Sequence, residues 1–431
     1  MADIEYLTSL QAVRERAHIV LEAAENGKLS HFTYHPERMS EASAYVVDII
    51  TRDFGPDNFD SIPPHGRWQH FEVGNIARVD GLIQKWQLSG CDKLEIVRRL
   101  VDLFFVAVLL DAGAGDVWKF KEPETGNIYA RSEGIAVAAL YMFQSGCLSS
   151  QKTRALECVD GHGLTALDRG TFRKAFQITP ENPIIGDNSR VSLLNSVGKS
   201  LLSLPEIFGE IGRPGYLVDY LLKTAKSPQH LDFKDLWSVL QKVLLPSWPK
   251  DRTQIAGIPI GDAWPLEVLE KVNRGKESPN SALHIQPFHK LTQWLAYSLT
   301  TPFVRTLGLE WTNMELGTGL PEYRNGGLFI DLGVLKLKEK ALKQGLELSQ
   351  QDVPGFETTS DVIVEWRAMT VALLDKLHEI ASGYFMQHDV KLSLAQMLEA
   401  GTWKGGRELA AKFRPSTKSS PILIQGDGTL F

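Results

Sequence analysis

Apolar residues recur at steps of three and four positions along most of this chain, which is the spacing of one face of an α-helix. The longest such pattern spans residues 361–382, and its apolar positions are Val362, Trp366, Met369, Leu373, Leu377 and Ile380. The same spacing predicts helices over the following segments: 7–25, 41–52, 94–110, 132–144, 172–176, 192–204, 216–223, 233–243, 288–299 and 361–382. Short strands are predicted at residues 257–260 and 327–331. The predicted fold class is therefore mainly α, with a few short strands.

Residues 179–189 interrupt the helical pattern with two prolines and no periodicity, which is typical of a boundary between domains. They divide the chain into an N-terminal helical lobe, residues 1–178, and a C-terminal helical lobe, residues 190–431. The sequence contains no low-complexity tract that would serve as a flexible linker. We therefore predict two closely packed helical lobes, with most of the functional site in the C-terminal one.

Composition is that of an ordinary soluble globular protein, with 43% hydrophobic and 23% charged residues. The net charge of −6 argues against non-specific binding to nucleic acid, which needs clustered lysine and arginine. The longest apolar run, residues 103–110, is far shorter than the roughly 20 residues that span a bilayer. We therefore expect a small-molecule substrate, and neither nucleic acid nor a membrane as a partner.

Cys91, Cys147 and Cys158 lie far apart and show no C-x-x-C spacing, so they predict neither a disulfide framework nor a zinc site. The first residues, Met-Ala-Asp-Ile-Glu-Tyr, lack the apolar core of a signal peptide. Together these features predict a cytoplasmic protein.

The stretch from Glu322 to Asp331 carries the highest density of functional groups in the chain. Glu322, Tyr323 and Arg324 precede an Asn-Gly-Gly turn signal, and a short apolar run then leads to Asp331. Two interpretations are open. The stretch is either a loop that presents functional side chains from a rigid scaffold or an ordinary turn with a salt bridge.

Residues 106–116 resemble two cofactor loops, because an apolar run leads into Asp-Ala-Gly-Ala-Gly-Asp. Methyltransferases that use S-adenosylmethionine and phosphoribosyltransferases both place such glycines after a strand. Here the apolar residues before Asp111 have helical spacing back to Leu94, so a helix that ends at a glycine is the simpler interpretation. Asp111, at the end of this helix, is a candidate site residue.

Asp262 lies two residues before Trp264, directly after an apolar run. A tryptophan ring can stack on a planar ligand while the carboxylate binds a hydroxyl or N–H group. The alternative is that Asp262 caps a helix that begins near Trp264 and Pro265.

Arg213 and His289 are two further cationic points, and each either binds an anionic substrate or is a surface or structural residue. Arg213 and His289 could hold a phosphorylated group together with Arg324, because arginine binds phosphate bidentately. Glu365 and Arg367 lie on either side of the apolar face of the predicted helix 361–382, so one of them is expected to reach a cavity.

Metal and cofactor motifs are weakly represented. His31 and His35 lie without an H-E-x-x-H pattern, and His65 and His70 lack an evident third ligand. The sequence contains no P-loop, dinucleotide fingerprint or nucleophile elbow. We therefore expect neither a metal nor a cofactor, and the available chemistry is that of carboxylates and arginine.

Taken together, these motifs resemble the uracil-catabolism protein four family of fungi and bacteria, a former domain of unknown function. The resemblance covers nearly the whole chain and rests on His31–Glu37, Leu110–Gly115, Gly212–Gly215, Gly261–Pro265 and Glu322–Asp331. Membership implies a role in a pathway that ribosylates uracil, opens its ring and releases urea. The resemblance supplies no assigned catalytic residue.

One step of such a pathway suits carboxylates and arginine, namely the loss of urea from C1 of the ribose in a ribosylurea or its phosphate. This N-glycosidic bond breaks through an oxocarbenium-like cation, which a carboxylate stabilises. The hypothesis is an N-ribosidic hydrolase with Asp331 and Asp262 as catalytic carboxylates. The residues proposed to bind substrate are Glu322, Tyr323, Arg324, Asp111, Trp264, Arg213, His289 and Arg367.

Two alternatives remain open. Ribosyl or phosphoribosyl transfer to or from uracil would require phosphate or pyrophosphate. A non-catalytic partner that channels an unstable intermediate would show a large exposed apolar patch and no enclosed pocket. The sequence leaves the oligomeric state open, with a homo-oligomer among the expectations.

Overall fold

Helices make up most of the secondary structure, as the apolar spacing predicts. The computed structural model describes residues 2–115, 117–151, 157–248, 252–274 and 281–426. These residues form two compact units that are discontinuous in sequence. One contains residues 2–65, 252–290 and 315–426, and the other contains residues 66–248 and 291–314. The division into lobes 1–178 and 190–431 stays a prediction, and residues 179–189 lie inside the second unit.

The first unit consists mainly of helices, and these are Ala2–Leu7, Leu10–Glu25, Met39–Phe54, Glu267–Asn273, Tyr323–Asp331, Glu339–Ser349, Asp361–Met386, Leu394–Met397 and Trp403–Phe413. Its short antiparallel strand pairs are Phe32–Tyr34 with Leu335–Leu337, Gln254–Ile255 with Ile258–Pro259, and Ala263–Pro265 with Ile285–Pro287. Gly355–Glu357 pairs in parallel with Leu423–Gln425. The strand predicted at 257–260 is thus confirmed.

The Asp361–Met386 helix is the centre of this unit. The helices that pack against it are Leu10–Glu25, Met39–Phe54 and Tyr323–Asp331. Its first turns are buried on every side, and the buried residues include the charged Glu365 and Arg367. The predicted apolar face is correct as far as Leu377, but Ile380 is 40% exposed. In the last turns the buried positions are Ala381 and Phe385 instead, four and eight residues after Leu377.

The second unit has the helices Trp68–Phe71, Arg78–Leu88, Lys93–Leu109, Arg131–Gln144, Gly161–Ala166, Arg169–Ala175, Asp187–Leu202, Pro205–Phe208, Leu217–Thr224, Phe233–Leu244 and, from Leu291 onward, Lys290–Pro302. Its strand pairs are Lys119–Lys121 with Ile128–Ala130, antiparallel, and His230–Asp232 with Glu310–Thr312, parallel.

The Lys93–Leu109 helix, which the sequence predicted, is buried along its C-terminal part. It begins after Asp92, whose carboxylate accepts a hydrogen bond of 2.7 Å from the backbone N–H of Glu95. Every residue from 100 to 109 is buried, including Asp102. The segment before the glycines is therefore a helix and not a strand. Asp116, at the end of the predicted loop, lies outside the described residues.

Each predicted helical segment overlaps an observed helix. The spacing did not predict the helices Arg78–Leu88, Glu339–Ser349 and Trp403–Phe413. The last two bury mostly small residues, such as Ala341, Gly345 and Gly406, so they carry few large apolar positions. Among the described helices, none is both long enough and apolar enough to cross a membrane.

Candidate functional site

A buried ion pair between Asp262 and Arg367 is the centre of the polar residues in the first unit. The guanidinium donates hydrogen bonds of 2.8 and 2.7 Å to the two carboxylate oxygens. The side chains are 1% and 2% exposed. Burial on its own would raise the pKa of Asp262, but the Arg367 guanidinium holds that pKa well below its usual range. Asp262 is therefore a permanent negative charge inside the protein.

The backbone at residues 288–290 wraps around Asp262. The N–H groups of Phe288 and His289 donate to the Asp262 carbonyl oxygen at 2.8 and 3.1 Å. The N–H of Lys290 donates to the carboxylate Oδ2 at 3.0 Å. His289 adopts the left-handed conformation, with φ of +47°, which allows this tight wrap.

Trp264 binds Asp262 directly, because its Nε1–H donates to Oδ1 at 2.8 Å. The guanidinium of Arg252 lies over the indole ring, 5.4 Å from its centroid. The interpretation of Asp262 as a cap for a helix near Trp264 and Pro265 is wrong, since Ala263–Pro265 is a strand. The carboxylate instead accepts hydrogen bonds from Trp264 and from the distant residues Lys290 and Arg367.

These contacts leave the Asp262 carboxylate with four hydrogen bonds, which is the full capacity of its two oxygens. Such a group is suited to act through its electric field and to hold Arg367 in place. Arg367 also lies over the ring of Phe288, with the guanidinium carbon 3.9 Å from the centroid.

His289 is buried as a neutral imidazole. Its Nε2 lies 2.8 Å from the carbonyl oxygen of Leu7, and a carbonyl can only accept, so Nε2 carries the proton. Burial lowers the pKa of His289. The predicted role of His289 as a cationic contact for an anion does not fit a neutral ring, although its role in binding substrate stays a prediction.

The Glu322–Asp331 stretch is a helix, Tyr323–Asp331, and not a loop followed by a strand. Both the predicted strand at 327–331 and the loop interpretation are wrong. The helix forms because Gly326 and Gly406 permit close packing. A Cβ on Gly326 would lie 2.8 Å from the Trp366 ring, and one on Gly406 would lie 2.1 Å from the carbonyl oxygen of Arg324.

Glu322 is the N-cap of this helix. Its Oε2 accepts a hydrogen bond of 2.7 Å from the N–H of Arg324, and its Oε1 accepts one from the N–H of Asn325. The residue is partly exposed, but its carboxylate lies among protein atoms, and this burial raises the pKa of Glu322. Each carboxylate oxygen keeps acceptor capacity, unlike those of Asp262.

The neighbouring residues of the helix are held by the C-terminal segment. Arg324 is 6% exposed and donates from Nη1 to the carbonyl oxygen of Lys418 at 3.1 Å. Its guanidinium carbon lies 5.0 Å from the centroid of the Tyr323 ring. Asn325 accepts a hydrogen bond of 2.8 Å from the hydroxyl of Thr402. These contacts fix the start of the helix.

Asp331 ends the same helix and binds Arg414 through two hydrogen bonds of 2.8 and 2.6 Å. A rise of about 1.5 Å per residue places it roughly 12 Å along the axis from Tyr323. Arg414 also donates to the carbonyl oxygen of Ser419 at 2.8 Å. The ion pair accounts for Asp331 structurally, and its catalytic role stays a prediction.

Among the predicted site residues of the first unit, Arg367 contacts both Asp262 and Pro321, the residue before Glu322. Its guanidinium binds Asp262, and its Nε donates to the carbonyl oxygen of Pro321 at 3.3 Å, next to Glu322. The structure thus brings the Asp262 group to the Glu322 end of the helix, while Asp331 lies at the other end.

Asp111 belongs to the second unit. Its Oδ2 lies 2.8 Å from Nη1 of Arg67 and 3.2 Å from Nε1 of Trp294. The carbonyl groups of the loop around Asp111 accept hydrogen bonds from Arg190 at residues Leu110, Ala112 and Gly113. Neither arginine was a predicted site residue, and the only signal for Arg67 is its position in an aromatic-rich segment, residues 62–71.

Arg213 also lies in the second unit, where Asp102 and Glu95 bind it at 2.8 and 3.0 Å. It lines a cavity of about 670 Å³ together with Tyr216 and Lys223. Its guanidinium is held by two carboxylates, so a role in substrate binding would require it to exchange partners.

One cluster in the first unit could hold a divalent cation. Ligand atoms of His31, Glu267 and Asp361 lie within 4.8 Å of one another. His31 Nε2 is 2.9 Å from Asp361, and Lys271 pairs with Glu267 at 2.9 Å. Burial opposes the charged imidazole, but the hydrogen bond with Asp361 and the nearby carboxylates raise the pKa of His31. The sequence missed this cluster because its members are far apart in the chain.

Comparison with known proteins confirms the resemblance. A family described as "Protein of unknown function (DUF1688)" matches residues 6–431. "Protein urg3" of Schizosaccharomyces pombe is 47% identical over 426 residues, which is 99% of this chain and 98% of that protein. "Uracil catabolism protein 4" of Lachancea kluyveri is 43% identical over 442 residues, 99% of each chain.

Proposed function

This chain belongs to the DUF1688 family, and from that premise we propose that it acts in uracil catabolism as an N-ribosidic hydrolase. Its substrate would be a ribosylurea or ribosylurea phosphate, from which it releases urea. Water supplies the oxygen that replaces urea on C1 of the ribose and the proton that leaves with the urea nitrogen. The reaction needs a group that gives a proton to the leaving nitrogen and a negative charge that stabilises the oxocarbenium-like cation.

The main support for the proposal is that Arg367 connects two carboxylates, those of Asp262 and Glu322, whose pKa values are shifted in opposite directions. Asp262, on one side, is held ionised in the interior. Glu322, on the other side of Pro321, has a raised pKa and free acceptor capacity. A pair of carboxyl groups whose surroundings move their pKa values in opposite directions is typical of acid–base catalysis.

We assign roles accordingly. Glu322 in its protonated form donates to the departing urea nitrogen and afterwards, as a carboxylate, takes the proton of the attacking water. Asp262 contributes its buried charge without a covalent step, because four hydrogen bonds saturate it. Asp331 remains the other predicted catalytic carboxylate, and Asp331→Asn tests it separately from Glu322.

The experiment incubates the purified full-length protein with ribosylurea 5′-phosphate, or with ribosylurea, and measures urea and the released sugar. We expect equal amounts of both products without added pyrophosphate. Glu322→Gln should lower kcat by about 10²- to 10⁴-fold, which is the usual contribution of a general acid. The matched control is Glu339→Gln, an exposed carboxylate at the first turn of the Glu339–Ser349 helix.

Absence of urea release from the folded wild-type protein would overturn the proposal. Product formation that requires uracil with pyrophosphate or phosphate would indicate ribosyl transfer instead. Equal kcat values for Glu322→Gln and the wild type would overturn the role of Glu322, and a large loss in Asp331→Asn would then support the carboxylate predicted from the sequence.

A further inference from the structure

The Arg67 guanidinium of the second unit is fully buried and only partly satisfied. Its exposed fraction is 0%, and Asp111 Oδ2 lies 2.8 Å from Nη1. Nη1 therefore has a charged partner, but no described residue accepts a hydrogen bond from Nε or Nη2. Buried guanidinium groups are normally surrounded by acceptors, so this one indicates an acceptor from outside the chain.

The position of Arg67 is fixed by its backbone and not by its head group. Its N–H donates to the Ser298 hydroxyl at 3.1 Å, and that hydroxyl donates to the Trp294 carbonyl oxygen at 2.7 Å. The side chain is therefore held in the interior although Nε and Nη2 lack hydrogen-bond acceptors among the described residues. Such pre-organised donors are the usual means of binding an oxyanion.

A second buried guanidinium, that of Arg190, lies near the same carboxylate. It is 1% exposed, and it donates to the carbonyl oxygens of Ala112 and Gly113 at 3.1 and 2.9 Å. These carbonyls are neutral, so Asp111 is a carboxylate on which both arginines depend. Burial lowers the pKa of Arg67 and lowers that of Arg190 to about 10, with Asp111 opposing both effects.

The region around Arg67 and Asp111 contains one more carboxylate, that of Glu133, and the rings of His70 and Trp294. The charge of Glu133 also acts on Arg67. The ring of His70 packs edge-on against Trp294 at 5.7 Å, and Trp294 donates to Asp111 at 3.2 Å. The planar guanidinium of Arg67 can bind two oxygens of a phosphate at once, which suits the phosphate of a small molecule.

We propose that Arg67 anchors an oxyanion-binding site in the second unit, whose ligand is the phosphate of a sugar phosphate. This site goes beyond the proposed reaction, and its binding of an anion does not depend on that reaction. Nε and Nη2 of the Arg67 guanidinium, which find no acceptor among the described residues, would donate hydrogen bonds to the phosphate oxygens.

The test is calorimetric titration of the full-length protein with ribose 5-phosphate, inorganic phosphate and ribose. We expect ribose 5-phosphate to bind and ribose not to bind, with inorganic phosphate binding more weakly. Arg67→Lys keeps the charge but loses the fork, so its affinity for ribose 5-phosphate should fall at least tenfold. Arg169→Lys is the control, because Arg169 is 53% exposed and pairs with Asp187 at the surface.

Asp111→Asn provides a second measurement if Arg67→Lys does not fold. Removal of the internal carboxylate should strengthen ribose 5-phosphate binding, since both buried arginines then lack their counter-charge. A purely structural ion pair predicts lower stability with no change in affinity, and that result would overturn the proposal. Equal binding of ribose and ribose 5-phosphate, or unchanged affinity in Arg67→Lys, would overturn it as well.

The two proposals fail separately. Ribose 5-phosphate binding that depends on Arg67, without any urea release, would leave the anion site intact and remove the proposed reaction. Urea release from the wild-type protein, together with ribose 5-phosphate binding that Arg67→Lys leaves unchanged, would keep the reaction and remove the anion site.

Discussion

Arg367 holds the Asp262 carboxylate with two hydrogen bonds of 2.8 and 2.7 Å, and both side chains are almost completely buried. A buried pair of this kind gains Coulomb energy but loses the hydration of both ions, so its formation adds little to stability. Removal of one partner has a much larger effect, because the other charge then stays in the interior without compensation.

Arg367→Met should therefore lower the free energy of unfolding by about 3–5 kcal/mol. The exposed pair of Lys343 and Glu339 gives the control, because its side chains are 70% and 82% exposed. Lys343→Met should change stability by well under 1 kcal/mol, since exposed pairs contribute about 0–1 kcal/mol. Urea denaturation followed by circular dichroism measures both, and similar midpoints for the two variants would contradict the assignment.

Gly406 sets the distance between the helices Trp403–Phe413 and Tyr323–Asp331. A Cβ at this position would lie 2.1 Å from the carbonyl oxygen of Arg324, a backbone atom that cannot move alone. Gly406→Ala should therefore destabilise the protein by about 1–3 kcal/mol or more through overpacking.

The control for this prediction is Gly383→Ala in the Asp361–Met386 helix. An added Cβ there meets no atom within 4 Å, so alanine should stabilise the helix by about 0.5–1 kcal/mol. Thermal unfolding measures both changes. Changes of the same sign in the two variants would contradict the packing argument.

The pKa of Asp102, a buried residue of the second unit, predicts how stability depends on pH. Burial raises the pKa of Asp102 to about 6. Arg213 opposes this shift only in part, because its guanidinium also pairs with Glu95. Since the folded-state pKa exceeds the unfolded value of about 3.9, the folded state binds more protons between these values. The Asp102 contribution to stability should therefore fall as pH rises from about 4 to about 6.

The difference in unfolding free energy between wild type and Asp102→Asn isolates this contribution, because asparagine does not titrate. It should decrease by about 2–3 kcal/mol across that pH range and stay constant above it. Chemical denaturation at several pH values measures it. An increase with pH would indicate that Arg213 outweighs burial at Asp102.

The pKa of Glu322 determines the expected dependence of kcat on pH. Its protonated form is the proposed acid, and burial raises its pKa, so kcat should persist above pH 4.3, the ordinary value for glutamate, and fall at higher pH. Measurement of kcat against pH in the wild type and in Glu322→Gln tests this. Persistence of the same basic limb in Glu322→Gln would assign it to another group.

Local patterns in the sequence were sufficient for the family and for many of the helices. The Lys93–Leu109 helix shows why, since its apolar spacing and the Asp92 cap both act within a few residues. Local patterns do not predict the Tyr323–Asp331 helix. There, two glycines and an asparagine indicate a turn locally, and only packing of Gly326 on Trp366 and of Gly406 on Arg324 makes a helix the stable form.

The candidate site could be predicted only in part for the same reason. Asp262 was identified from its neighbours, but its partner Arg367 lies 105 residues away, and the partner of Asp331 lies 83 residues away. Arg67 was missed because an arginine in an aromatic-rich segment has no distinctive spacing. By itself, the sequence determined the mainly helical fold and the family, since periodicity and motifs are local properties. The tertiary structure decided which carboxylates are saturated and which keep acceptor capacity, because burial and pairing depend on residues that meet only after folding.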